Sequence, residues 1–216
     1  MFVGHYAVSL ALKSKGKKAS LGVLFLAVQF LDILFFPLVV FGVEQLRLVE
    51  NYTDATHFVL EYMPYSHSLV AAFLWGGLTF LAFRLYAGGR RVPLIMAAAV
   101  VSHWFLDLIV HTPDLPILSG TGPMVGLGLW NYAGLTFFVE AVLLLVGLGM
   151  YMRATHARTA IGTYGMPALV VALMAINAVN LFAPPTGNTI PALAATALML
   201  YLAIAAIAFW LDRHRG

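Results

Sequence analysis

Three titratable side chains stand four residues apart in the stretch SHWFLDLIVHTPD: His103, Asp107 and His111. Residues at i and i+4 project from one face of a helix, so neighbouring pairs in this series can grip one metal ion. Imidazole and carboxylate together suit zinc, with manganese or iron as alternatives. The chain has no cysteine, which removes thiolate ligands and disulfides. His5, Asp32 and His67 are the other candidate ligands, and Asp107 and Glu140 are the candidates for catalysis. Six ligand candidates are enough for one or two ions, the second needing a bridging carboxylate.

The segments carrying these groups are otherwise apolar. The chain is 62% hydrophobic and 10% charged over 216 residues, against about 25% charged in an ordinary soluble domain. That composition reads as an all-α membrane bundle forming one domain, 1–216. Six transmembrane helices are expected, at about 20–43, 66–87, 92–111, 133–153, 163–183 and 190–211, each long enough for a hydrocarbon core of about 30 Å. Segment 1–115 carries the candidate metal site and 116–216 adds further membrane helices. No internal repeat at a fixed period is visible.

The net charge of +3 points to topology rather than to nucleic acid, and no nucleic-acid partner is expected. Lys13, Lys15, Lys17 and Lys18 precede the first span, Arg84, Arg90 and Arg91 lie between the second and third, Arg153 and Arg158 between the fourth and fifth, and Arg213 and Arg215 near the end. The alternate connections hold only Arg47. Under the positive-inside rule this places both termini in the cytoplasm. Residues 2–13 read as a short additional helix, either dipping into the bundle or lying on the membrane surface.

Helix rise sets the depth of each polar group. Counted from the nearest basic end, His103 lies about 18 Å up, Glu140 about 20 Å, Asp32 about 21 Å, Asp107 and His67 about 24–26 Å and His111 about 30 Å; His5 reaches about 12 Å if its helix dips inward. A lone carboxylate at such depth costs about 2.5–3.5 kcal/mol, and neither Asp32 nor Asp107 has a Lys or Arg in its own span. Protonation, imidazolium or a bound cation must neutralise them.

Bland alternatives accompany each residue. His103 with Asp107 could be a hydrogen-bonded pair fastening two helices. His67 could be interfacial beside a capping Ser66 or Ser68. His111, stopped by Pro113, could be a ligand, a proton-relay group or an exposed helix-end histidine. Glu140 could be a general base, an outer partner of a ligand histidine or a buried protonated acid.

Gly4-His5, a carboxylate at Asp32, PYSHSL at 64–69 and SHWFLD at 102–107 occur in one order. This set resembles the bacterial inner-membrane family of metal-dependent hydrolases whose name records a LexA association. The family is similar in turn to the helical zinc phospholipase C and P1 nuclease superfamily. The resemblance covers about residues 1–115 and implies His5, Asp32, His67, His103 and Asp107 as ligands. It implies a hydrolase of the bacterial inner membrane, using metal-activated water on a phosphoester or another lipid-like, amphiphilic substrate among membrane lipids. The family's second aspartate near Asp32 is absent, as are the His and Arg preceding His67. A small transporter of metal ions or protons, using the same cluster, is the alternative.

Overall fold

The computed structural model describes residues 1–16, 18–184 and 189–216. Lys17 of the first basic cluster and residues 185–188 of the expected last outer loop lie outside the described residues. The chain is mostly helical: α1 (Val3–Lys15), α2 (Leu21–Val28), α3 (Phe30–Val40), α4 (Leu69–Tyr86), α5 (Arg91–Val110), α6 (Ala133–Ala154), α7 (Ala160–Phe182) and α8 (Ile190–Asp212). Helices α4 to α8 are each long and apolar enough to cross a membrane, and α2 with α3 makes a sixth if the bent pair is one span. Their outward side chains are apolar, among them Phe73, Leu81, Val171 and Met199. A helix that is apolar all round needs hydrocarbon or protein on every side.

The expected first span is broken. α2 and α3 meet at Gln29 with a bend of 50°, although Pro37 lies eight residues further on, inside α3. The bend is held by tertiary contacts: Gln29 is buried and its Nε2 donates to the Phe2 carbonyl over 3.3 Å. The last carbonyls of a helix lack partners within it. That of Val28, at the end of α2, lies 2.6 Å from His103 Nδ1.

α1 lies inside the bundle. Val3, His5, Tyr6 and Leu10 are all fully buried, which a helix lying on a membrane surface would not be. It packs chiefly on α6, and also on α2, α5 and α7. A Cβ on Gly147 of α6 would come within 2.5 Å of the Ala7 carbonyl oxygen, so glycine there is what lets the two backbones approach.

Two short antiparallel pairs interrupt the helices where loops were expected: β1 (Gln45–Leu48) with β2 (Phe58–Tyr62), and β3 (Leu115–Pro116) with β4 (Met124–Val125). Leu46, Leu60, Met63 and Leu115 turn inward to the core. The loops are tied to each other through Ala55 N–H to the Trp130 carbonyl, at 3.1 Å, and to α4 through Val70 N–H to the Ile117 carbonyl, at 3.2 Å. Ser68 caps α4 by accepting from Ala71 N–H at 3.0 Å, so His67 sits just ahead of the helix rather than on it.

Candidate metal centre

Asp107 is the hub. Its Oδ2 lies 2.9 Å from His103 Nε2, 3.6 Å from His111 Nε2 and 3.7 Å from His67 Nε2. Its Oδ1 lies 3.2 Å from His5 Nε2 and 2.6 Å from the Met1 ammonium. Asp32 approaches from α3, its Oδ1 being 3.2 Å from His67 Nε2 and 3.7 Å from His103 Nε2. The other oxygen of Asp32 accepts from the Tyr201 hydroxyl of α8 at 3.1 Å. His5 and His103 stack with ring centroids 3.9 Å apart. His5, His67, His103, Asp107 and His111 are buried almost completely; Asp32, at 20% side-chain exposure, is the member that opens outward.

Two groups could hold a metal ion: His5, His103 and Asp107, and Asp32, His67 and His103, the ligand atoms of each lying within 4.8 Å of one another. The five residues that the ordered motifs imply are thus together, and they are five of the six candidate ligands. They come from α1, α3, α5 and the turn before α4. His111 falls outside both groups. It packs against Trp130 with centroids 4.2 Å apart, and its Nδ1 lies 2.9 Å from Asp114 Oδ1.

The ring nitrogens have distinct duties. A carbonyl oxygen only accepts, so His103 Nδ1, facing Val28, carries the proton and the neutral ring presents a lone pair at Nε2. That nitrogen has no hydrogen-bond partner although Asp107 Oδ2 is 2.9 Å away. Both nitrogens of His5 are likewise buried without a hydrogen bond. Buried polar atoms of native proteins are nearly always paired, and the exceptions ask for an explanation. A cation among the facing lone pairs supplies one, and the donor set, imidazole nitrogens with carboxylate oxygens, fits a divalent transition metal.

Glu140 has a different place. Its Oε2 accepts from Gly4 N–H at 2.9 Å and from Phe2 N–H at 3.1 Å, so the carboxylate caps the N-terminus of α1, where free N–H groups and the helix dipole favour negative charge. It positions His5 through the backbone of α1. Sequence reading missed Tyr201, the Val28 carbonyl and Glu44, whose carboxylate accepts from Ser66 beside His67, and read Asp114 as a turn residue rather than a partner of His111. Tyr201 lies in the apolar run LMLYLAI and reads as membrane filling, while Glu44 reads as one acid among several in a loop.

No family model matches the chain, and searches of curated proteins and of solved structures find no match either.

Proposed function

We propose that the chain is an integral-membrane metal-dependent hydrolase that binds a divalent cation, zinc best suiting the donors and manganese or iron being alternatives. The observation that carries this reading is the unbonded 2.9 Å approach of His103 Nε2 to Asp107 Oδ2. The Val28 carbonyl fixes the tautomer of the neutral His103 ring, which then turns a lone pair toward Asp107 in a buried site. His5, Asp32, His67, His103 and Asp107 are the ligands in this reading. His103 belongs to both ligand groups but has one free lone pair, so it serves one ion, and one ion per chain is the expected load. A divalent ion in such a site supplies a hydroxide nucleophile near neutral pH and polarises the scissile bond.

Asp32, open on one side and steadied by Tyr201, is the ligand carboxylate nearest to an incoming substrate. Apolar outward faces around the bundle favour a lipid-like or otherwise amphiphilic substrate, a phosphoester in the ordered-motif resemblance. The basic connections favour cytoplasmic termini in a bacterial inner membrane. The broken α2–α3 helix beside the cluster favours a second reading, since transporters bind ions at discontinuous helices. In it the same residues pass a metal ion or proton across the membrane.

Metal analysis of purified protein tests the common ground. About one zinc-like ion per chain, lost in Asp107→Ala and His103→Ala, supports the site; folded, metal-free protein that takes up no added zinc, manganese or iron sinks it. Turnover of a generic phosphodiester or lipid ester in detergent then favours the hydrolase, and metal flux into proteoliposomes without turnover favours the transporter.

A further inference from the structure

Glu44 is a buried carboxylate with every visible hydrogen bond aimed at one turn. Its Oε1 accepts from the backbone N–H groups of Tyr65 and Ser66, each at 2.9 Å. Its Oε2 accepts from the Ser66 hydroxyl at 2.6 Å. The same Ser66 oxygen lies 2.7 Å from His67 Nδ1. A carboxylate can only accept, and a serine hydroxyl has one hydrogen to donate. That hydrogen goes to Glu44, so Ser66 Oγ meets His67 as an acceptor and His67 Nδ1 must carry the ring's proton. The lone pair of the neutral ring is then on Nε2, 3.2 Å from Asp32 Oδ1.

We infer that Glu44 is a positioning residue that, acting through Ser66, sets the tautomer of His67 and thereby makes its Nε2 a ligand. The hydrogen-bond chain stands by itself; its consequence for ligation rests on the metal site proposed above. His103 reaches the same tautomer through a backbone carbonyl, which no substitution can remove, whereas the device at His67 depends on two side chains. Burial explains why a device is worth having, because an imidazole presenting Nε2–H to Asp32 would form an ordinary hydrogen bond and close the site to a cation.

Glu44→Gln tests the inference because it preserves shape and inverts polarity. The amide oxygen must stay on the two backbone N–H groups, which leaves its NH2 facing Ser66. Ser66 then accepts from Gln and turns its own hydrogen toward His67 Nδ1, which pushes the ring proton to Nε2. Nitrogen-15 NMR of histidine-labelled, metal-free protein, at a pH where the ring is neutral, reads the tautomer directly. The expected result is Nδ1–H in the wild type and Nε2–H in Glu44→Gln, with zinc affinity in chelator competition lower by about 10–100-fold. A wild-type ring protonated on Nε2, or an unchanged tautomer in Glu44→Gln, overturns the inference. Equal zinc affinity in the two proteins also overturns it while leaving the metal site in place. A tautomer that inverts in a protein that takes up no zinc supports the hydrogen-bond chain and removes the metal site instead. If Glu44→Gln fails to fold, the pair Ser66→Ala and Ser66→Thr decides: zinc binding should weaken in the first and return to wild-type strength in the second, and equal affinities refute the role.

Discussion

Two buried polar clusters at opposite ends of the bundle differ in how their donors and acceptors are matched. At the cytoplasmic end in the proposed orientation, Lys13 Nζ donates to Asp212 Oδ2 at 2.6 Å and to the Ala19 carbonyl at 2.8 Å. Tyr151 donates to the other Asp212 oxygen at 3.0 Å. Arg215 donates to the Thr155 hydroxyl at 2.8 Å, to the Thr155 carbonyl at 2.9 Å and to the Gly162 carbonyl. Cation meets anion there and donor meets acceptor. In the His/Asp cluster the Met1 ammonium and the Tyr201 hydroxyl each satisfy one carboxylate oxygen. Two histidines there still hold buried nitrogens without hydrogen bonds among the described residues, and in the neutral ring His103 Nε2 turns a lone pair toward Asp107. The first arrangement is complete without a ligand and clasps the ends of α1, α6 and α8. The second is incomplete, which is what distinguishes a binding site from a fastener of the same residue types.

Substitutions can break or sharpen this contrast. The largest effect is expected at the hub. Asp107→Ala, and His103→Ala beside it, should weaken zinc binding by more than the roughly 10–100-fold typical of outer partners. Asp107→Ala also leaves the buried Met1 ammonium without its carboxylate and costs stability, whereas metal-free His103→Ala should keep its thermal midpoint. Isothermal titration and a thermal melt of each variant read both. A large fall in the metal-free stability of His103→Ala would mean that the cluster is a fastener too.

Lys13→Ala should do the reverse. Removing one partner of a largely buried pair takes the cation from Asp212, so stability should drop by about 1–3 kcal/mol, with zinc affinity nearly unchanged. Chemical denaturation together with zinc titration checks this, and loss of metal alone would put the clasp within the site.

Glu140 lies between these extremes. Glu140→Ala orphans two N–H groups at the start of α1 and should cost about 1–3 kcal/mol. Because α1 carries His5, zinc affinity should fall with it. Glu140→Gln keeps an acceptor oxygen and should recover most of both. If Glu140→Gln binds zinc normally yet abolishes turnover, Glu140 is a catalyst and not only a cap. The smallest change is expected for His111→Ala, less than about tenfold in zinc affinity, since its Nε2 lies outside both ligand groups; a loss equal to that of His103→Ala would enlarge the site to include it.

Much of the site is legible in the sequence because its core lies on one helix face. The spacing of His103 and Asp107 needs only the periodicity of α5, and depth counting brings Asp32 and His67 to their level. Five of the six expected spans correspond to helices within a few residues, since long apolar runs leave little freedom. The rest depends on contacts between distant segments. Gln29 is an unremarkable helix residue until the Phe2 carbonyl and His103 meet the chain there, so the break is invisible in QFLDIL. Glu140 sits at the depth expected of a catalyst, yet it meets the backbone of residues 2 and 4 first. Glu44 acts on His67 across more than twenty residues of loop whose two strands are too short to announce themselves.

The clamp of α6 on α1 also sets the order in which the site can come into being. Residues 1–111 supply every expected ligand, but Glu140 and Gly147, which hold α1 in place, are made much later. At about 5–20 residues per second, α6 is completed roughly 7–30 seconds after α1. Through that interval His5 belongs to a short helix without its chief packing partner, while Asp32, His67, His103 and Asp107 have already been made. A chain inserting as it is made would therefore store a four-residue half-site and close it when α6 arrives, so α1 is among the last elements to reach its final place.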